Sequence, residues 1–230
     1  MKPIRRIAAA VLAMALGAPA LAGAAIINDT EGNASPGFND GDTPTLLDLL
    51  AAQGGQPAPF DAGIGNELIG PNFGAAWMHT SFGPITDPIV SATMSIGIAD
   101  HDSAAGGDQV ASFLVDGADG TGLLNGLFNG TGGGDNEYNV YSFDVLALIG
   151  APALADGTVN VSLALQPPGL QTNILFGGVS DTDFNAAFLI FSSLEIVTQD
   201  QTGPPVPAPA PATLALLALG LLGLGARRRG

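Results

Sequence analysis

Asp100, Asp102 and Asp108 fall within the stretch Asp100-His101-Asp102-Ser103-Ala104-Ala105-Gly106-Gly107-Asp108. Carboxylates so spaced on a Gly-rich turn can converge on one hard cation, and Ca²⁺ takes about six to eight oxygens from carboxylates, carbonyls and water. The stretch departs from an EF-hand loop, because Ala104 stands where an oxygen ligand belongs and Ala111 where a glutamate would close the site. Asp181 and Asp183, in Asp181-Thr182-Asp183-Phe184-Asn185, would add oxygens if their turn lies beside the first. Ca²⁺ at Asp100, Asp102, Asp108, Asp181 and Asp183 is therefore the cofactor expected. The competing reading is that these aspartates bond their own backbone in turns. It is also the stronger reading for Asn39-Asp40-Gly41-Asp42, Asp116-Gly117-Ala118-Asp119 and Asp135-Asn136-Glu137, while Asp144 reads as an edge or outward strand residue.

The inventory for catalysis is thin. There is no cysteine nucleophile and, away from the ends, no lysine for a Schiff base and no arginine for phosphate. His79 and His101 are the two imidazoles, and a zinc site built on them would need carboxylate help. His101, between two aspartates, reads as a loop residue, and no Gly-x-Ser-x-Gly elbow supplies a serine. A glycoside hydrolase needs only two carboxylates about 5 to 10 Å apart, but also a cleft with aromatic platforms. Trp77, Tyr138 and Tyr141 are the only Trp and Tyr residues. No catalytic residue is assigned, and the expectation is a protein that is not an enzyme.

Charge separates the ends from the middle. Lys2, Arg5, Arg6, Arg227, Arg228 and Arg229 are the only cationic side chains, and all 21 acids, 17 of them aspartate, lie between Ile7 and Ala226. An acidic body of this kind repels nucleic acid, which binds through Lys and Arg. The first three cations precede an apolar run from Ile7 to Leu16, and small residues follow at Ala20, Ala22 and Ala24. That order predicts a secretory signal peptide, cut after Ala22 or Ala24, with Ala22 favoured. At the other end come Pro204-Pro205-Val206-Pro207-Ala208-Pro209-Ala210-Pro211, an uncharged stretch from Ala212 to Ala226, and Arg227-Arg228-Arg229. Alternating prolines give a stiff stem. The uncharged stretch predicts a hydrophobic helix near the lower length limit for spanning a bilayer, with the arginines held on the cytoplasmic side.

This tail resembles the PEP-CTERM sorting signal of Gram-negative bacteria: proline motif, apolar helix, basic cluster. Val206, Pro207 and Pro209 match the usual Val-Pro-Glu-Pro, and Ala208 stands where glutamate is usual. The resemblance implies export, anchoring through the tail helix before processing, and an exosortase-like membrane protease as partner beside the export machinery. It also implies a destination at the outer surface or in the extracellular matrix, where exopolysaccharide and biofilm would be the surroundings.

The expected division is a signal peptide at 1–22, an exported domain at 23–203 and a sorting tail at 204–230. Within the domain, Thr45 to Ala52 predicts a short helix capped by Thr43, with Pro44 as its first residue and Gly54-Gly55 as its stop. Ala75 to Phe82 predicts a strand with Trp77 inward. Ile89 to Ala99 alternates, with Val90, Ala92, Met94, Ile96 and Ile98 on one face. Further strands are expected at Val110 to Val115, Asn139 to Ile149, Thr158 to Leu165 and Ala187 to Val197, a weaker one at Asn173 to Gly178, and a helical turn at Leu123 to Phe128. Short strands without a βαβ rhythm predict an all-β fold, an antiparallel β-sandwich that is jelly-roll-like or immunoglobulin-like. The stretch Ser91 to Asp102, with Asp108 to Phe113 and Glu137 to Asp144, resembles a β-sandwich module of exported bacterial proteins carrying this tail. Three functions remain in view: a non-enzymatic surface or matrix protein, a carbohydrate-binding module with structural calcium, and a carboxylate-pair glycoside hydrolase. A carbohydrate module would present Trp77, Tyr138 or Tyr141 on an exposed face.

Overall fold

The computed structural model describes residues 24–66, 69–101, 107–131, 136–167, 170–173, 178–181 and 184–199. The expected signal peptide and sorting tail, with its hydrophobic helix, lie outside the described residues, as do Asp102 and Asp183. Along the chain the elements are β1 (Ala24–Gly32), α1 (Leu46–Gln53), β2 (Gly74–His79), β3 (Ile89–Ala99), β4 (Val110–Val115), β5 (Ala118–Asp119) and α2 (Thr121–Thr131). They continue as β6 (Tyr138–Asp144), α3 (Val145–Ile149), α4 (Ala151–Leu154), β7 (Val159–Leu165), β8 (Leu170–Asn173), β9 (Gly178–Asp181) and β10 (Phe188–Gln199).

The protein is mostly β. One antiparallel sheet has the order β1-β10-β3-β6, a second has β2-β7-β4-β5, and β8-β9 is a separate hairpin. With that hairpin set aside, the first strand pairs with the last, the second with the second-last, and so inward: β1 with β10, β2 with β7, β3 with β6, β4 with β5. Both sheets contribute to one apolar core. Ala92, Met94, Ile96 and Ile98 of β3 and Leu194 and Ile196 of β10 join Phe113 and Val115 of β4 and Val161 and Leu163 of β7. A second, smaller cluster holds Leu49 and Ala52 of α1 with Ala99, Tyr138, Ile190 and Phe191. It forms where a register shift between Leu189 and Phe191 interrupts the alternation of β10. Gly97 is required beneath this cluster, because a Cβ there would collide with Phe191 and the Tyr138 hydroxyl.

Several local expectations are corrected. Helix α1 is capped by Thr45, not Thr43: the Thr45 hydroxyl accepts from Asp48 N while the Asp48 carboxylate accepts from Thr45 N, a reciprocal capping box. Gly54 stops the helix as expected. Val90 is exposed although its alternate neighbours are buried, because the register of β3 against β10 shifts there. The strand expected to run to Ile149 ends at Asp144, whose side chain accepts from Ala147 N and starts α3. The turn expected at Leu123 to Phe128 is the middle of the eleven-residue α2. Asn173 and Gly178 close β8 and open β9, with 174–177 outside the described residues. β1 has no counterpart among the expected strands.

The Asp-rich loop after β3 is gripped at both described ends. His101 is buried, its Nε2 2.6 Å from the Tyr141 hydroxyl and its ring edge-on to Phe128 and Tyr141. At the far end the Asn125 side chain of α2 accepts from Gln109 N and Val110 N and donates to Val110 O. Asp116 and Gly117, both at positive φ, turn β4 tightly into β5, as an Asp-Gly hairpin signal implies.

Thr45→Ala should cost about 1 kcal/mol of unfolding free energy by urea titration, whereas Thr43→Ala should stay within about 0.5 kcal/mol. Equal losses would contradict the Thr45 cap. Burial pushes the pKa of His101 down to about 3 from 6.5. Between those values the unfolded chain takes up a proton that the folded chain refuses. This histidine's contribution to stability therefore falls as pH is lowered from about 6.5 toward about 3, by up to about 1.4 kcal/mol per pH unit. His101→Gln keeps a polar partner for Tyr141 and cannot titrate. It should be less stable at pH 7, and the gap to wild type should narrow by pH 4; parallel pH curves would contradict this role.

Candidate functional site

Of the five expected calcium ligands, the described residues include Asp100, Asp108 and the backbone of Asp181. Asp100 follows β3 in a left-handed conformation, φ 58°, with its N–H on the Glu137 carbonyl. Asp108 is exposed; its carboxylate accepts from Asn129 and its carbonyl from Gln166. Asp181 ends β9 opposite Leu170, its side chain outside the described residues. With Asp102 and Asp183 also outside, the described carboxylates of this set do not by themselves assemble a cation site.

A different constellation is assembled between the sheets. On β1, Asp29 is buried and Glu31 partly buried, while their neighbours Asn28 and Thr30 are exposed, so the two carboxylates share the inward face. β10 sets Leu194 opposite Asp29 and Ser192 opposite Glu31. β2 ends with Trp77 and His79 inward. The result is that Ser192 Oγ lies 2.9 Å from His79 Nε2, and His79 Nδ1 lies 3.8 Å from Asp29 Oδ2. Asp29 Oδ2 also accepts from Ser81 N at 2.8 Å. Among the described residues, Asp29, Glu31 and His79 are the one group of three such side chains with donor atoms within 4.8 Å of one another.

The order serine, imidazole, carboxylate is that of an acyl-transfer triad, but the geometry does not suit one. Ser192 and His79 are both 0 % exposed, so no substrate reaches the hydroxyl. The 3.8 Å gap is too long for the bond that would orient the imidazole. Burial lowers the pKa of His79, against the opposing pull of the Asp29 charge. Burial, aided by the Asp29 charge, raises that of Glu31. Sequence reasoning missed Asp29, Glu31 and Ser192. The available signal was the phase of Ile27, Asp29 and Glu31, which turns carboxylates inward once 24–32 is recognised as a strand.

The aromatics that a carbohydrate module would present are buried, Trp77 inward as expected: Trp77 is 8 % exposed, Tyr138 2 % and Tyr141 3 %. An open groove beside α1 carries two acids, Asp42 and Asp48. Each is committed to its own turn, Asp42 accepting from Asn39 and Asp48 from Thr45. Bonds from the Thr45 hydroxyl and then its N–H lower the Asp48 pKa, the wrong direction for a general acid. No helix among the described residues is long and apolar enough to cross a membrane.

No curated protein matches the chain, and no solved structure does. A family model described as the PEP-CTERM protein-sorting motif matches residues 207–229. The match holds with Ala208 in the place of the usual glutamate and ends on Arg229, the last of the three arginines. Residues 207–229 are therefore a PEP-CTERM protein-sorting motif, and the chain carries the signal of an exported protein processed by an exosortase-like membrane enzyme.

Proposed function

We propose that the protein is a non-enzymatic component of the outer surface or extracellular matrix, delivered by its signal peptide and sorted by its tail. The observation that carries this reading is the sorting motif at 207–229. The body supports it by what it offers and withholds: buried aromatics, a buried serine–histidine pair, and groove acids already bonded to their own backbone. Association with exopolysaccharide rests on the kind of protein that carries this tail. Membrane anchoring before processing rests on the apolar stretch from Ala212 to Ala226.

The body in this proposal is a jelly-roll sandwich. Its support is the nested pairing of strands around one core, the outcome when one long hairpin folds over on itself. Ala24 pairs with Gln199, so the described body begins and ends at one point of the β1-β10 edge. Cleavage after Ala22 leaves β1 whole, whereas cleavage after Ala24 would remove its first residue. Calcium at the Asp100–Asp108 loop belongs to the same proposal, supported by three carboxylates on one Gly-rich turn.

Deleting residues 207–229 in the producing cells should abolish labelling of the protein by antibody on intact cells while leaving it in the soluble exported fraction. Surface labelling equal to that of the full chain would overturn the sorting role. Millimolar Ca²⁺ should raise the melting temperature of the metal-stripped chain and leave Asp108→Asn unmoved. An unchanged melting temperature in the full chain would remove calcium from the account.

A further inference from the structure

Asp29 poses a charge problem. It is a carboxylate 3 % exposed, in a chain with no Lys or Arg between Ile7 and Ala226, so no such side chain of the body can pair with it. Buried charges in proteins are paired or coordinate metals. His79 does not supply a hydrogen bond to it, because its Nδ1 stands 3.8 Å away, beyond hydrogen-bond reach. That nitrogen has no hydrogen-bond partner among the described residues, although the residue is 0 % exposed and Nδ1 is set toward the carboxylate. Glu31 then brings a second carboxylate to the same point. Two carboxylates converging there repel one another, and a cation among them converts the repulsion into attraction.

The donor set selects the ion. Imidazole nitrogen with carboxylate oxygens suits zinc and its neighbours, whereas Ca²⁺ and Mg²⁺ prefer oxygen alone. Zinc bonds to such donors are about 2.0–2.2 Å, so two donors on one ion lie no more than about 4.3 Å apart. The His79–Asp29 separation is already inside that limit. Glu31 is partly exposed and its donor oxygen lies within 4.8 Å of the other two, so a small side-chain movement would bring all three within the limit for zinc. The surroundings are those of a metal site. Ser192 Oγ can accept from His79 Nε2, which leaves the Nδ1 lone pair for the ion, and Ser81 N–H orients the Asp29 carboxylate.

We propose that Asp29, Glu31 and His79 bind one Zn²⁺ ion, with water in the fourth position, and that the ion joins β1 to β2. Those strands are the edges of two different sheets. In a chain without cysteine the ion performs the cross-linking that disulfides perform in other exported domains.

The test uses the untagged full chain, stripped with chelator and titrated with Zn²⁺ by calorimetry and by thermal melting. Because changes at the buried Asp29 and His79 endanger folding itself, the partly exposed Glu31 carries the decisive variant. One Zn²⁺ per chain is expected, with a raised melting temperature, about tenfold or more weaker binding in Glu31→Gln, and unchanged binding in Asp108→Asn. Co²⁺ in place of Zn²⁺ should give visible absorption bands in the wild type that Glu31→Gln alters. Absence of Zn²⁺ binding up to millimolar concentration would overturn the proposal. So would wild-type affinity in Glu31→Gln, or loss of binding in Asp108→Asn.

Discussion

The body of this protein must be built without a single positive side chain, since no Lys or Arg lies between Ile7 and Ala226 while all 21 acids do. Carboxylates there are held by backbone N–H groups and by amide and hydroxyl side chains. Several of the described aspartates take the first route within their own turn. Asp42 accepts from Asn39, Asp119 from Thr121, Asp144 from Ala147 and Asp156 from Thr158. A few reach further: Asp40 accepts from Val140 at 2.8 Å and Asp116 from Asn160, each tying a turn to a distant strand. The prevalence of aspartate over glutamate follows, because the shorter side chain reaches nearby backbone donors and favours turns over helices.

That arrangement leaves the interior to apolar packing. Strands pair in a nested order, both sheets press into one core, and α1 buries Leu49 and Ala52 in a second cluster with Phe191 and Tyr138. Several polar groups that enter the interior are bonded to neighbours: His101 to Tyr141, Asn125 to the start of β4, Gln53 to the Leu189 carbonyl. Asp29 is bonded to Ser81 N and His79 to Ser192, yet the two face each other at 3.8 Å, too far apart to bond directly. The fold thereby gathers Asp29, Glu31 and His79 at the joint between the sheet edges.

Strands with clean alternation are legible in the amino-acid order alone. Strands β3 and β4, at 89–99 and 110–115, match expectation to the residue, and the expected 158–165 and 187–197 lie within two residues of β7 and β10. What alternation cannot show is a change of element within an apolar run. Val145 to Ile149 continues the hydrophobic pattern of β6, yet the Asp144 side chain begins a helix and Gly150, at φ 79°, ends it. The site is less legible than the fold. β1 puts Asp29 and Glu31 where a core strand would carry apolar residues, so its inward face reads as a loop. Ser192 meets His79 across 113 residues, a pairing that depends on sheet stacking and leaves no local trace. The sorting tail, by contrast, is carried by residue order alone, which is why Pro207 to Arg229 can be read directly.

The central claim is that this acidic two-sheet body reaches its destination by processing at both ends. Mass spectrometry of both termini of the protein recovered from the producing cells tests it most directly. The account predicts a chain that begins at Gly23 and lacks Arg227, Arg228 and Arg229. A protein that retains those three arginines would contradict it.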